Sequence, residues 1–218
     1  MAVMFRYLRR SYIIVAIYLA ITVLIGFGII LLSLDGLECN IVLNLQSFVQ
    51  KTLGIQLFQA LTYLGDFYLW VIFTTIFFFY TYFKSRRNLN TSTQLVTYLI
   101  LITASTYFLK AAYARPRPHC ADIMIYNQEG FFSYPSGHVS RAAGLLIILS
   151  KKRNTIRNIL LITAIFLISL SRIVLGVHFP TDTFGAIFLS LAMHKASEIT
   201  VYSFFNSSYF LRDDSKLA

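Results

Sequence analysis

The 218-residue sequence predicts an all-α polytopic membrane protein: one domain over residues 1–218, built as a bundle of six spanning helices with its functional site on the extracytoplasmic side. Three observations predict it. The chain is 57% hydrophobic and only 13% charged, too apolar for an ordinary soluble domain. Residues 11–34, 61–83, 94–109 and 158–170 form runs almost free of charge. A spanning helix needs about 20 mostly apolar residues at ~1.5 Å rise each. Basic residues fall on one side of the resulting topology.

Taken in order, residues 11–34 give the first span. The run is longer than the roughly 7–15 residues of a signal h-region, and no A-x-A-like site follows, so it is expected to be retained. Asp35-Gly36 ends it. Residues 39–53 place Ile41, Leu45, Phe48 and Val49 among Asn44, Gln46, Ser47, Gln50 and Lys51, the spacing of an amphipathic helix. Such a helix either lies on the outer interface beside a lipid path or packs on the bundle as a connector. The second span, 61–83, carries Asp66 a turn or two inside its outer end. The third, 94–109, is followed by Lys110 and stops at Arg115-Pro116-Arg117-Pro118, where each proline removes a donor and biases the residue before it away from helical angles. Residues 119–134 read as a loop, polar at Asp122, Asn127, Gln128 and Glu129 and aromatic at Phe131, Phe132 and Tyr134. It suits a lid or a plain cover over helix ends. Residues 137–149 and 180–201 supply two further spans that are polar at one end. The first of these is short for a ~30 Å slab, so its start is expected near headgroup depth.

The net charge of +10 admits nucleic acid as a partner, but its distribution argues for a membrane. With the amino terminus inside, the inner segments hold Arg6, Arg9, Arg10, Lys84, Arg86, Arg87, Lys151, Lys152, Arg153, Arg157, Arg212 and Lys216. The outer loops hold only Lys51, Arg115 and Arg117, beside Asp35, Glu38, Asp122 and Glu129. That is the positive-inside bias, and it places both termini in the cytoplasm of a multi-pass cell-membrane protein. Cys39 and Cys120 both fall outside, where an oxidising compartment permits a disulfide; two free thiols are the alternative.

Three short fragments at the outer ends of the spans carry the chemistry. Ser136-Gly137-His138 opens the fourth span, and a Ser-Gly helix start offers N–H groups and a positive dipole end to an anion. Alone, the four residues Pro135 to His138 also fit a membrane-interface histidine. Asp182 follows His178 by four positions; a carboxylate on one ring nitrogen fixes the tautomer and leaves the other lone pair facing outward, as a nucleophile or base needs. A simple interfacial salt bridge is the competing reading. Lys110, Arg117 and Arg172 supply permanent positive charge, the arginines with a fork matched to phosphate. No spacing of carboxylates, cysteines or histidines suggests a metal site, so neither metal nor cofactor is expected.

In this order and near these separations, K-x6-R-P (Lys110 to Pro118), P-S-G-H (Pro135 to His138) and S-R-x5-H-x3-D (Ser171 to Asp182) resemble the type 2 phosphatidic acid phosphatase (PAP2) superfamily. The resemblance implies a hydrolase in which His178 attacks phosphorus, Asp182 orients its ring, and His138 protonates the leaving oxygen and then activates water. Lys110, Arg117 and Arg172, helped by Ser136 and Gly137, would hold the phosphoryl oxygens. No motif position is substituted.

Weaker assignments surround these. Asp66 is expected to pair with a catalytic cation. Arg141, three after His138, reads as a structural ion pair, and Arg115 as a contact to a distal phosphate or a solvent-facing charge. His119, His194 and Glu198 receive no function. The expected substrate is a membrane lipid phosphate or diphosphate. An isoprenoid diphosphate leads, ahead of phosphatidic acid, phosphatidylglycerol phosphate or small pyrophosphates. A lipid transporter on the same fold is the non-enzymatic rival, and no protein partner is implied.

Overall fold

The computed structural model describes residues 2–52, 54–84, 88–120, 122–127, 130–150 and 155–214. Among the described residues, eight α-helices carry the chain: α1 (Ala2–Leu32), α2 (Asp35–Thr52), α3 (Ile55–Thr62), α4 (Phe67–Lys84), α5 (Leu89–Tyr113), α6 (Gly137–Leu149), α7 (Thr155–Val174) and α8 (Pro180–Asp214). A single 3-10 turn, Tyr63–Gly65, joins α3 to α4. Among the described residues, β-structure is limited to one isolated antiparallel bridge between Pro116 and Phe132.

Apolar side chains cover much of the outside: Leu31, Phe83 and Phe108 stand 78%, 74% and 72% exposed. In water that surface would drive association; in a bilayer it is the solvent-facing surface. Among the described residues α1, α4, α5 and α7 are long and apolar enough to cross a membrane by length and composition. Helix α6 is apolar but only 13 residues long. Helix α8, which carries Asp182 in its first turn and Lys195 and Glu198 further along, is not among the four.

The interior forms where α5, α6 and α8 meet, with Leu95, Tyr98, Ile102, Leu145, Ile148 and Leu189 all buried. Gly144 on α6 leaves the room that the Tyr98 ring fills: a Cβ there would stand 2.0 Å from Tyr98 Cζ. The Tyr98 hydroxyl donates to the Ser140 carbonyl at 2.5 Å, and Ser190 Oγ on α8 donates to the same oxygen at 2.7 Å. One carbonyl thus bolts three helices together, and every polar atom in the joint has a partner, as burial requires.

Two expectations are corrected. The second apolar run does not form one helix from residue 61: α3 ends at Thr62, and α4 begins at Phe67 after the 3-10 turn. Asp66 therefore stands just before a helix and not within one. Its Oδ1 accepts the N–H groups of Tyr68 (2.8 Å) and Leu69 (3.3 Å), which caps α4. Helix α2 buries Glu38, Val42, Gln46 and Val49, while Ile41 and Phe48 lie exposed. Its inward face includes Gln46 because that carboxamide donates to the carbonyls of Met124 (2.7 Å) and Val174 (2.9 Å) and accepts Met124 N–H (3.0 Å). Of the residues cited for charge and loop polarity, Arg86, Arg87, Gln128, Glu129, Lys151, Lys152, Arg153 and Lys216 lie outside the described residues.

Candidate active site

Helix α5 ends at Tyr113, with Ala114 in the left-handed region (φ 45) donating its N–H to Lys110 O at 2.9 Å. The proline-flanked exit then runs beside the returning loop. Ser133 N–H donates to Arg115 O (2.9 Å) and Ser133 Oγ to Pro116 O (3.0 Å). Lys110 Nζ reaches across to the carbonyls of Phe132 (2.6 Å) and Ser133 (3.1 Å). The exit segment and the loop before α6 therefore hold each other.

The N-terminus of α6 is set against the 3-10 turn at Gly65. A Cβ on Gly65 would lie 2.7 Å from His138 Cβ and 2.9 Å from His138 O, so only glycine permits this approach. Ser136 N–H donates to the Asp182 carbonyl at 3.1 Å. That group was expected to face an anion; it instead ties α6 to α8. The Ser136 hydroxyl is buried and has no hydrogen-bond partner among the described residues.

Beyond α7 the chain turns through Gly176 (φ +72), where a Cβ would meet Met124 O at 2.6 Å. This turn delivers His178 into a buried position. His178 Nδ1 faces Asp182 Oδ2 at 3.3 Å, and the same oxygen accepts Phe179 N–H at 2.9 Å. Arg117 Nη1 lies 3.4 Å from His178 Nε2 and also donates to Val177 O at 2.6 Å. A guanidinium can only donate, and a carboxylate can only accept. Both contacts therefore select one tautomer, with the proton on Nδ1 and the lone pair on Nε2. Burial, then the charges of Lys110, Arg117, Arg172 and Arg115, hold the imidazole well below its ordinary protonation range.

One cavity of about 400 Å³ is lined by Lys110, Arg117, Gly137, His138, Arg141 and His178, together with Phe131 and Phe132 from the loop. Fragments scattered over seven decades of sequence meet there. Arg172 and Asp182 stand behind this wall, both fully buried, and Arg172 Nη1 donates to Thr62 Oγ1 of α3. A second, polar cavity of about 860 Å³ shares His138, Arg141 and Gly130 and adds Gln56, Gln59, Thr62, Asp66 and Asn127. Asp66 meets it from its cap position and makes no ion pair within the described residues. Arg141 stands over the Phe67 ring at 5.6 Å.

Arg115 is placed differently from either expectation. It is 5% exposed, and its three ion pairs are to Asp182 (2.7 Å), Glu38 (2.6 Å) and Asp35 (2.6 Å). Burial opposes its charge, but the three carboxylates outweigh it and hold the guanidinium above its usual range. Neither solvent nor a distal phosphate is its partner here. Glu38, Asp35, Thr62 and Gly65 were not read as site residues in the sequence. Their signal was faint: an acidic pair beside Cys39, and a Gly-Asp step before an apolar run. Cys39 and Cys120 form a disulfide with a Cα–Cα separation of 6.0 Å.

Cations and two imidazoles gathered around one cavity of a helical, apolar body suit the class of membrane phosphatases. The family model described as the PAP2 superfamily matches residues 91–206, a stretch that contains all three fragments, and the chain belongs to that superfamily. Two solved structures share the fold. The first transmembrane PAP2 type phosphatidylglycerolphosphate phosphatase from Bacillus subtilis is 22% identical, covering 88% of this chain and 96% of that one at a TM-score of 0.65. LpxE of Aquifex aeolicus is 26% identical over 71% of this chain and 93% of its own, at a TM-score of 0.59. No curated protein sequence matches the chain.

Proposed function

We propose that this protein is a metal-independent lipid phosphate or diphosphate phosphatase working through a phosphohistidine. The observation that carries this is the single cavity lined by both His138 and His178, with Lys110 and Arg117 beside them and Asp182 on the far nitrogen of His178. His178 Nε2 attacks phosphorus, an N–P bond forms, and the P–O bond to the leaving group breaks. His138 gives that oxygen its proton. Water then attacks the phosphorus, His138 takes the water proton, the N–P bond breaks and phosphate leaves. Lys110, Arg117 and Arg172, with the Ser136 hydroxyl and Gly137, stabilise the charge that grows on the phosphoryl oxygens. Preorganised donors of this kind commonly supply the largest share of such a rate enhancement.

In this reading α1, α4, α5, α6, α7 and α8 are six spans, both termini are cytoplasmic, and the cavity opens outward. The positive-inside distribution supports that orientation. An apolar groove of about 470 Å³ between α4 and α5 shares Phe67 with the polar cavity, which supports a substrate with a hydrocarbon tail.

Among lipids an isoprenoid diphosphate, cleaved to the monophosphate, leads. Arg115 no longer serves the second phosphate, but Arg141 borders both cavities and suits it. A second reading, phosphatidic acid or phosphatidylglycerol phosphate, draws on Gln56, Gln59 and Asn127, whose amides suit neutral hydroxyls. Phosphate release by the purified protein in detergent with chelator decides between them. The panel is a long-chain isoprenyl diphosphate, phosphatidate, phosphatidylglycerol phosphate and pyrophosphate. Preference for the isoprenyl substrate is expected; no release from any of the four sinks the proposal.

A further inference from the structure

Helix α2 lies outside the three motif fragments, yet it reaches the reacting histidine through two buried side chains. Arg115 bridges them. Its Nη1 donates to Asp182 Oδ1 at 2.7 Å and to Thr181 Oγ1 at 2.8 Å, both on α8. Its Nη2 donates to Glu38 Oε2 and Asp35 Oδ1, both at 2.6 Å, on α2. The guanidinium also stacks over the Phe179 ring at 4.1 Å. Glu38, only 4% exposed, accepts Thr181 N–H at 2.8 Å and Thr181 Oγ1–H at 2.9 Å. It therefore satisfies a backbone donor of the first turn of α8 as well as the arginine.

We infer that Arg115, anchored by Glu38, is a positioning residue for the His178–Asp182 pair, so that α2 is a working part of the site. The two oxygens of Asp182 are divided between two tasks. Oδ1 is held by Arg115, while Oδ2 faces His178 Nδ1 and Phe179 N–H. Fixing one oxygen fixes the carboxylate plane, and with it the direction from which the ring is held. The planar fork of an arginine does this between two helices at once, as a lysine cannot. The disulfide from Cys39, next to Glu38, ties the same turn of α2 to the loop after Arg117.

The inference rests on the proposed role of His178, and the test separates the two. Wild type, His178→Ala, Arg115→Gln, Arg115→Lys, Glu38→Gln and the Arg115→Gln/Glu38→Gln double variant are assayed as full-length purified protein on the best substrate of the panel. For Arg115→Gln, kcat is expected to fall roughly 100-fold with KM nearly unchanged, the loss typical of a misaligned reacting group. Arg115→Lys recovers part of it.

The pH profile supplies a readout that a merely structural role would not move. The charged and titratable groups facing His178 are Lys110 from α5, Arg115 and Arg117 from the exit segment, His138 from α6, Arg172 from α7 and Asp182 from α8. Removing the Arg115 charge eases proton uptake by His178, so the acid limb of kcat moves to higher pH. Removing the Glu38 charge does the opposite, and the limb moves to lower pH with a smaller fall in kcat. Because Glu38 acts through Arg115, the double variant should be no slower than Arg115→Gln alone, a non-additive result.

Unmoved limbs, or strictly additive losses, overturn the inference. If Arg115→Gln does not fold, Glu38→Gln carries the test: a fall in kcat with the limb displaced downward supports the inference, and a wild-type profile overturns it. Turnover by His178→Ala would instead remove the proposed mechanism. An inactive His178→Ala beside a fully active Arg115→Gln removes only the positioning role.

Discussion

Arg117 Nη1 lies 3.4 Å from His178 Nε2. The nitrogen proposed to attack phosphorus thus has a permanent cation at its side before any substrate arrives. A phosphate entering there meets nucleophile and clamp together, with the remaining ring nitrogen already committed to Asp182. Arg117→Lys keeps the charge but loses the fork, and its effect on kcat/KM should be about 10- to 100-fold, read with saturating and sub-saturating substrate. Wild-type kinetics would show that charge alone suffices.

His178→Ala should remove turnover and leave no acid-labile, base-stable phosphoenzyme in a rapid-quench experiment with labelled substrate. His138→Ala should retain phosphoenzyme formation on good leaving groups. It should slow poor ones most, within the ~100- to 10,000-fold range of general acid–base catalysis. A His138→Ala variant equally slow on both kinds of leaving group would contradict its role as the acid.

The pH profile follows from the depressed protonation range of His178. A lowered value means that the neutral, nucleophilic ring persists as pH falls and is lost only below the ordinary histidine range, which centres near about 6.5. The acid limb of kcat/KM should therefore lie well below that pH. With His138 as the proposed acid, activity should also fall on the alkaline side. A flat profile from about pH 4 to 9 would be incompatible with two histidines in these roles.

Gly65→Ala tests how closely the 3-10 turn must approach α6. The added methyl would stand 2.7 Å from His138 Cβ, so either the turn or the helix start has to move. A loss of roughly 1–3 kcal/mol in stability is expected, measured as a lowered melting temperature in detergent, together with reduced kcat. Unaltered stability would mean that the turn gives way without cost.

The Cys39–Cys120 bond closes a long loop, with a sequence separation of 81. Its removal by Cys39→Ser should cost on the order of 4 kcal/mol in the chain-entropy account. Thiol blocking followed by reducing and non-reducing electrophoresis would verify the bond; two free thiols in protein exported across the membrane would contradict it.

The spacing of Lys110, Arg117, His138, Arg172, His178 and Asp182 was legible because each sits at the end of an apolar run, where a charge stands out. The apolar runs likewise announced α1, α4, α5, α6, α7 and α8. What the sequence hid had two physical causes. Apolar residues run without pause through α3, the 3-10 turn and α4, so hydropathy alone merged three elements and left Asp66 looking buried. Arg115 sits in the same Arg-Pro setting as Arg117, so local chemistry makes the two look alike. Their difference is written 80 and 77 positions away, at Asp35 and Glu38. Partners at that distance leave no periodic trace.

The Ser140 carbonyl, gripped from one side by Tyr98 and from the other by Ser190, makes the helix that begins at Gly137 a keystone rather than a piston. A scaffold set this way resists retuning from its interior: trimming Tyr98 would free the Ser140 carbonyl, two positions from the proposed acid His138. Variation in what such an enzyme accepts is then easiest to introduce at its rim, along α3 and the segment around Asn127, where side chains can change without disturbing the mortar.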